Sequence, residues 1–412
     1  MTNATPSATI QEPVLKAGRT GKTRIAELDG LRGIAVLMVV LFHFIAPFGE
    51  TSNPVANIVY KVFRIGWAGV DLFFVLSGFL IGGILLDAKE SRGYFKTFYL
   101  RRVYRIFPIY YLWIGIYFLL SAALSVHVAH QMGIVRGGWV YSPVFALYLQ
   151  NTWKTNATME SPWLSQLWSL AVEEQFYLVI PFLVRFLSRR RLVLLLIATM
   201  FLAPLTRLVI LFYFPAHWGA TYRMTVCRAD ALAAGVLLAV VWRDTRCISW
   251  ILDHRNALYA AFVSLFLGVL YVAVFLSHPE DPSQYRALAI WDYSCVDLFF
   301  ANLLLWTMLA PKGLWAGFCR WRFLTGLGAI SYCMYIIHLA VNVLCHAVVV
   351  KSGWGISTWP GLLATIAAGV LTWCIGKISW RFFERPLIRR GHVFRYEPAI
   401  TVDYSKLAGV VE

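Results

Sequence analysis

Residues 67–87 read Trp67-Ala68-Gly69-Val70-Asp71-Leu72-Phe73-Phe74-Val75-Leu76-Ser77-Gly78-Phe79-Leu80-Ile81-Gly82-Gly83-Ile84-Leu85-Leu86-Asp87, with Asp71 the lone ionisable side chain before Asp87. At 1.5 Å per residue, a helix over this stretch rises about 30 Å, the thickness of a bilayer's hydrocarbon core. Runs of this kind recur at 31–48, 67–87, 106–126, 164–187, 192–214, 224–242, 256–277, 294–310, 327–350 and 360–383. They predict an all-α integral membrane protein, a bundle of about ten transmembrane helices. The stretch 138–150 is apolar too, but Gly137, Gly138 and Pro143 interrupt it, so it is expected to be re-entrant or interfacial.

Composition points the same way. The 412 residues are 59% hydrophobic and 14% charged, with a mean hydropathy of +0.64, more apolar surface than a soluble core of this size hides. The net charge of +16 raises nucleic acid as a partner, but the basic residues fall in short clusters between apolar runs instead of lining one face, which speaks against it. With ten spans, the clusters alternate onto one side: Lys16, Arg19, Lys22 and Arg24; Lys89, Arg92, Lys96, Arg101, Arg102 and Arg105; Arg185 and Arg189 to Arg191; Arg243, Arg246 and Arg255; Lys312, Arg320 and Arg322; Arg385, Arg389 and Arg390. The positive-inside rule makes that side, and both termini, cytoplasmic.

The chain therefore divides into a polar N-terminal tail at 1–24 without signal-peptide character, a membrane domain at 25–390 and a C-terminal tail at 391–412. The segments 127–163 and 278–293, the latter with Glu280, Asp281 and Asp292, are expected outside, where they shape a substrate mouth. No internal repeat of the kind found in many transporters is visible. Seven cysteines without C-x-x-C spacing predict neither a disulfide framework nor a zinc site, and His127 and His130 lack the Glu and the third ligand of a zinc motif. No metal is expected.

Ionisable side chains inside spans are costly, and each is a candidate for function. His43 lies about 18 Å along the first span from Leu31, and Asp71 lies at a comparable depth on the antiparallel second span. A carboxylate beside a histidine orients it as a general base for a hydroxyl; the plainer alternative is a buried histidine bonded to a backbone carbonyl. Glu173 and Glu174 are adjacent on the fourth span and point about 100° apart, so at most one faces a given cavity. Either assists the base, orients a sugar hydroxyl or forms a structural ion pair. Arg228 and Asp230 open the sixth span, as acceptor-binding groups or as partners within the bundle. Arg101, Arg102 and Arg105 enter the third span where Arg32 enters the first, a set suited to the phosphates of an anionic cofactor. Positive-inside anchoring uses the same residues, and charge by itself favours anchoring. Ser331, Tyr332 and His338 follow helical spacing on the ninth span, where a core role is the simpler reading of each.

Five segments in order carry a family resemblance. They are Glu27-Leu28-Asp29-Gly30-Leu31-Arg32-Gly33 leading to Phe42-His43; Gly69 to Ile81; Phe98-Tyr99-Leu100-Arg101-Arg102-Val103-Tyr104-Arg105-Ile106-Phe107-Pro108; Trp168-Ser169-Leu170-Ala171-Val172-Glu173-Glu174-Gln175-Phe176-Tyr177; and Ser331-Tyr332 to His338. The chain from about 25 to 390 resembles the membrane-bound acyltransferase-3 family. The resemblance implies a ten-helix fold that takes an acyl group, usually acetyl, from cytoplasmic acyl-CoA to a carbohydrate or glycolipid hydroxyl. It implies His43 as the catalytic histidine, Arg32, Arg102 and Arg105 as the donor arginines, and Glu174 or its neighbour Glu173 as the motif carboxylate. Some members add a soluble SGNH-hydrolase-type domain; this chain ends about 30 residues past its last span, so it is expected to finish transfer in the membrane domain or hand the acyl group to a separate periplasmic partner. A bacterial inner (plasma) membrane setting follows. The rival readings are a transporter or flippase of a lipid-linked glycan, and a receptor or scaffold without chemistry.

Overall fold

The computed structural model describes residues 25–45, 60–152, 161–275, 282–350, 356 and 358–397. The tail at 1–24, Glu280 and Asp281 of the second outer segment, and residues 398–412 lie outside the described residues. Ten long helices carry the ten expected spans: α1 Ala26–Ile45, α2 Gly69–Asp87, α3 Tyr94–Ala123, α4 Trp168–Phe186, α5 Arg189–Tyr213, α6 Thr225–Trp242, α7 Arg255–Phe275, α8 Pro282–Leu309, α9 Arg322–Val349 and α10 Trp359–Ser379. Nine helices among the described residues are long and apolar enough to cross a membrane. The exception is α8, whose apolar run is broken by Asp292, Asp297 and Asn302.

Two helix pairs form the centre. In the first, α1 lies against α9; in the second, α2 lies against α6. Both approaches depend on glycine. A Cβ on Gly30 or Gly33 would strike the backbone of Cys319 or Leu324, and one on Gly328 would strike Asp29; between α2 and α6, Gly78 and Gly235 meet each other's helix in the same way. Bilayer helices gain little from hydrophobic association, because lipid is as apolar as leucine, so close backbone packing supplies the attraction.

Ion pairs tie helix ends together on one face. Arg243 grips Asp87 with two contacts of 2.6 Å, Arg189 reaches Asp244 at 2.7 Å, and Arg320 reaches Glu27 at 2.5 Å. These join the start of α1, the end of α2, the α5 start, the α6 end and the segment before α9, which is the grouping the alternation of basic clusters requires. Residues 394–397 return to the same face: Arg101 Nε donates to the Phe394 carbonyl at 2.8 Å, Thr97 Oγ1 donates to the Arg395 carbonyl at 3.1 Å, and Arg92 bridges Glu397.

The stretch 138–150 does not span. It forms a 3-10 turn at Gly138–Tyr141 and a short helix at Ser142–Ala146, then drops into the bundle, where Tyr148 stacks on Tyr110 of α3 at 4.3 Å. Non-helical backbone in a membrane must find partners in protein. Here Tyr110 and Tyr111 donate to the Phe145 and Ala146 carbonyls at 2.9 Å each, and Gln175 donates to the Tyr148 carbonyl at 2.7 Å.

Candidate active site

His43 sits near the end of α1 and reaches α9. Its Nδ1 is 3.0 Å from Nε2 of His338, and Nδ1 of His338 is 2.8 Å from the Tyr335 carbonyl. A carbonyl oxygen only accepts, so His338 carries its proton on Nδ1 and presents Nε2 as a lone pair. His43 Nδ1–H must then donate to it, which leaves His43 Nε2 unprotonated. That is the tautomer a base or nucleophile needs. His338 is fully buried, whereas His43 is half-buried and lines a cavity of about 480 Å³ together with Gln166, Trp168, Tyr222, Arg223 and Tyr293.

The His43–Asp71 dyad expected from sequence does not form. Helix phase is the reason: His43 projects from α1 onto α9, while Asp71 projects from α2 onto α6 and makes an ion pair with Arg228, both side chains wholly buried. His338, read from sequence as a core residue, occupies the partner's place. Asp230 pairs with Arg207 of α5 at 2.9 Å, and Ser294 of α8 donates to Asp230 at 2.7 Å. Arg207 escaped the sequence reading although its signal was legible: a lone guanidinium inside the apolar run 192–214.

On the opposite face of the bundle, a second cavity of about 450 Å³ is lined by Arg32, Arg102 and Arg105, with Asp29, Tyr177 and Glu384. Arg105 lies in the fields of both other guanidinium groups, and the Nε of Arg102 is buried without a hydrogen-bond partner. The three cations share this partly desolvated space with Asp29, Glu384 and Glu173, and their crowding favours an incoming anion. Arg101 is not part of this set; it points to the C-terminal segment, where its guanidinium lies 5.1 Å from the Tyr396 ring. Glu384 comes from a π-helical turn at Trp380–Glu384, and accepts from Ser379 at 3.0 Å. It was missed because nothing in the periodicity announces a π turn.

The paired glutamates diverge as their 100° offset requires. Glu173 accepts from Ser77 at 2.8 Å and Tyr177 at 3.2 Å and lines the deep end of the arginine cavity, whereas Glu174 turns towards Arg102 and Tyr148. Ser331 and Tyr332 line the same deep end; their hydroxyls donate to the Gly328 carbonyl at 3.0 Å and the Ile106 carbonyl at 3.1 Å.

The arginine cavity stops at Ser169 and Tyr335, and the histidine cavity begins at Gln166. A single hydrogen-bonded layer divides them: the Tyr335 hydroxyl lies 2.6 Å from Ser169 Oγ and donates to the Gln166 carbonyl at 3.1 Å. Since the Tyr335 carbonyl also holds His338, one residue links the partition to the histidine pair.

Residues 25–377 match the model of the acyltransferase domain family, Acyl_transf_3. The chain belongs to that family. It is 28% identical over 395 residues to the peptidoglycan O-acetyltransferase OatA of Listeria monocytogenes, covering 91% of this chain and 57% of that protein. It is 29% identical over 384 residues to the putative peptidoglycan O-acetyltransferase YrhL of Bacillus subtilis, at 89% and 55% coverage, and 25% identical over 398 residues to the O-acetyltransferase OatA of Staphylococcus aureus, at 93% and 60%. The chain thus spans little more than half the length of these relatives. No solved structure matches it. The histidine pair and Arg32, Arg102 and Arg105 fall within the matched region, whereas Glu384 lies beyond it. Among the described residues no group of three His, Cys, Asp or Glu side chains is placed to hold a metal, and all seven cysteines are free.

Proposed function

We propose that this protein is a membrane O-acyltransferase that moves an acyl group, acetyl by default, from cytoplasmic acyl-CoA to a hydroxyl of a cell-envelope carbohydrate, in the bacterial inner membrane. The carrying observation is the chain of contacts from the Tyr335 carbonyl through His338 to Nδ1 of His43, which assigns the free Nε2 of His43 to the wall of a cavity. The peptidoglycan O-acetyltransferase relatives support carbohydrate as the acceptor class.

In this reading the basic, tail-bearing face is cytoplasmic, and Arg32, Arg102 and Arg105 receive the phosphates of acyl-CoA. The pantetheine arm runs past Ser77, Ser331 and Tyr332 towards Tyr335. His43 Nε2 removes the proton of the acceptor hydroxyl; the oxygen bonds to the thioester carbon, the carbon–sulfur bond breaks, and the proton on His43 passes to the departing sulfur to give CoA. Neutral His338 stabilises the His43 imidazolium through its Nε2 lone pair, the part a carboxylate plays in a serine hydrolase.

The test uses purified protein in nanodiscs with radiolabelled acetyl-CoA and extracted cell-envelope glycans. Label entering glycan with wild type and not with His43→Ala supports the reading. Absence of both CoA binding and transfer in folded protein turns it towards transport of a lipid-linked glycan.

A further inference from the structure

Asp71 and Arg228 form a fully buried ion pair that the chemistry above does not use. Such pairs are costly inside a membrane domain, and an apolar pair of similar volume often serves stability as well, so a buried pair invites a search for what it positions. The guanidinium carbon of Arg228 lies 4.4 Å from the ring centre of Tyr293 and 5.4 Å from that of Tyr222. Both rings line the cavity that holds His43.

These rings belong to a continuous floor. Trp168 and Tyr222 are 4.7 Å apart between centres, Tyr222 and Tyr293 5.7 Å, and Trp67 braces Tyr293 at 5.5 Å. A second buried guanidinium, Arg207 on Asp230, lies 5.5 Å from the same Tyr293 ring. An arginine plane against an aromatic face is attractive, more so when desolvated, and its carboxylate partner keeps it from turning away. Two charge pairs drawn from α2, α5 and α6 thus hold the tyrosine of α8.

We propose that this aromatic floor seats a sugar ring of the acceptor, and that Asp71 and Arg228 are positioning residues that hold the floor beneath it. The inference rests on the acceptor reading above. A pyranose has an apolar C–H face that packs on the electron-rich face of an aromatic ring, while its hydroxyls point outward from the rim. Here the rim carries the hydroxyl's base: His43 opens onto the same cavity as Trp168, Tyr222 and Tyr293. A lipid chain would satisfy the rings but would bring no hydroxyl to His43.

The test is saturation-transfer NMR of an N-acetylglucosamine tetrasaccharide with the full chain in nanodiscs, paired with CoA binding to the same samples. Wild type should transfer saturation to the ring C–H protons. Tyr293→Phe should keep it, and Tyr293→Leu should lose it. The Asp71→Leu/Arg228→Met double variant, chosen to replace the charges without orphaning either, should bind CoA as wild type does yet weaken saccharide binding about tenfold. In turnover assays its acceptor KM should rise by a similar factor with the donor KM unchanged. Saccharide contact that is absent in wild type, or equal in wild type and the double variant, overturns the proposal. His43-dependent acetyl transfer at saturating glycan judges the acyltransferase reading separately: transfer in wild type together with equal saccharide contact in wild type and the double variant would sink the floor and leave the acyltransferase standing.

Discussion

The two cavities of the bundle are made from opposite materials. One gathers the guanidinium groups of Arg32, Arg102 and Arg105 on its wall, with Asp29, Glu173 and Glu384 around them; the other lines a histidine with aromatic rings and Arg223, and keeps Arg228 and Arg207 underneath, each paired with an aspartate. The difference teaches that charge in a membrane domain does two jobs. Placed at a cavity wall it is open to an incoming ion, and paired within the core it holds other side chains still.

The sharpest way to break this division of labour is His43→Ala. Loss of the base should lower acyl transfer by about a thousandfold while CoA binding, which belongs to the other cavity, persists; radiolabel counting and CoA titration on one preparation check both. Next in size, Arg105→Ala should weaken CoA binding by about ten- to a hundredfold, since a charge-assisted hydrogen bond is worth about 1.5–3 kcal/mol, with the acceptor KM unmoved. Steady-state kinetics in both substrates tests this, and a shift of the acceptor KM alone would contradict it.

The partition between the cavities gives a third test. Tyr335→Ala removes the hydroxyl that joins Ser169 to the Gln166 carbonyl. It should let water cross the layer, so that acetyl-CoA is hydrolysed several-fold faster without acceptor; CoA release measured with and without glycan reads it. The smallest effect is expected at a residue that lines neither cavity. The Asp244 carboxyl is held below its usual value, first by the Arg246 backbone N–H and then by Arg189. A depressed carboxyl contributes stability above its unfolded value, about 3.9, and loses it as pH falls through the lower folded value. Asp244→Asn should therefore lower the melting temperature only slightly at neutral pH, with the gap from wild type closing below about pH 4, by thermal unfolding in detergent.

Much of the fold was legible because membrane spans are written in composition over twenty residues, and no tertiary contact is needed to read them. The grouping of helix ends by basic clusters was legible for a similar reason: Arg243, Arg189 and Arg320 sit where a charge count places them, and their ion pairs with Asp87, Asp244 and Glu27 merely join what was already on one face. The individual arginines were separable only in three dimensions. Arg101 and Arg102 are neighbours in sequence, yet helix phase sends one to the C-terminal segment and the other to the cavity.

What the sequence determined by itself was thus the all-helical membrane architecture, the family resemblance and the list of costly buried groups. Depth along a span follows from a rise of 1.5 Å per residue, and an ionisable group at depth is conspicuous in any sequence. Pairing was decided by the tertiary structure alone. His43 and Asp71 stand at similar depths, and only the contacts of α1 with α9 and of α2 with α6 give the histidine to His338 and the aspartate to Arg228. A pattern of residues along one helix sets the direction of each side chain relative to its neighbours on that helix; which other helix stands in that direction depends on glycine-mediated backbone approach between segments far apart in the chain.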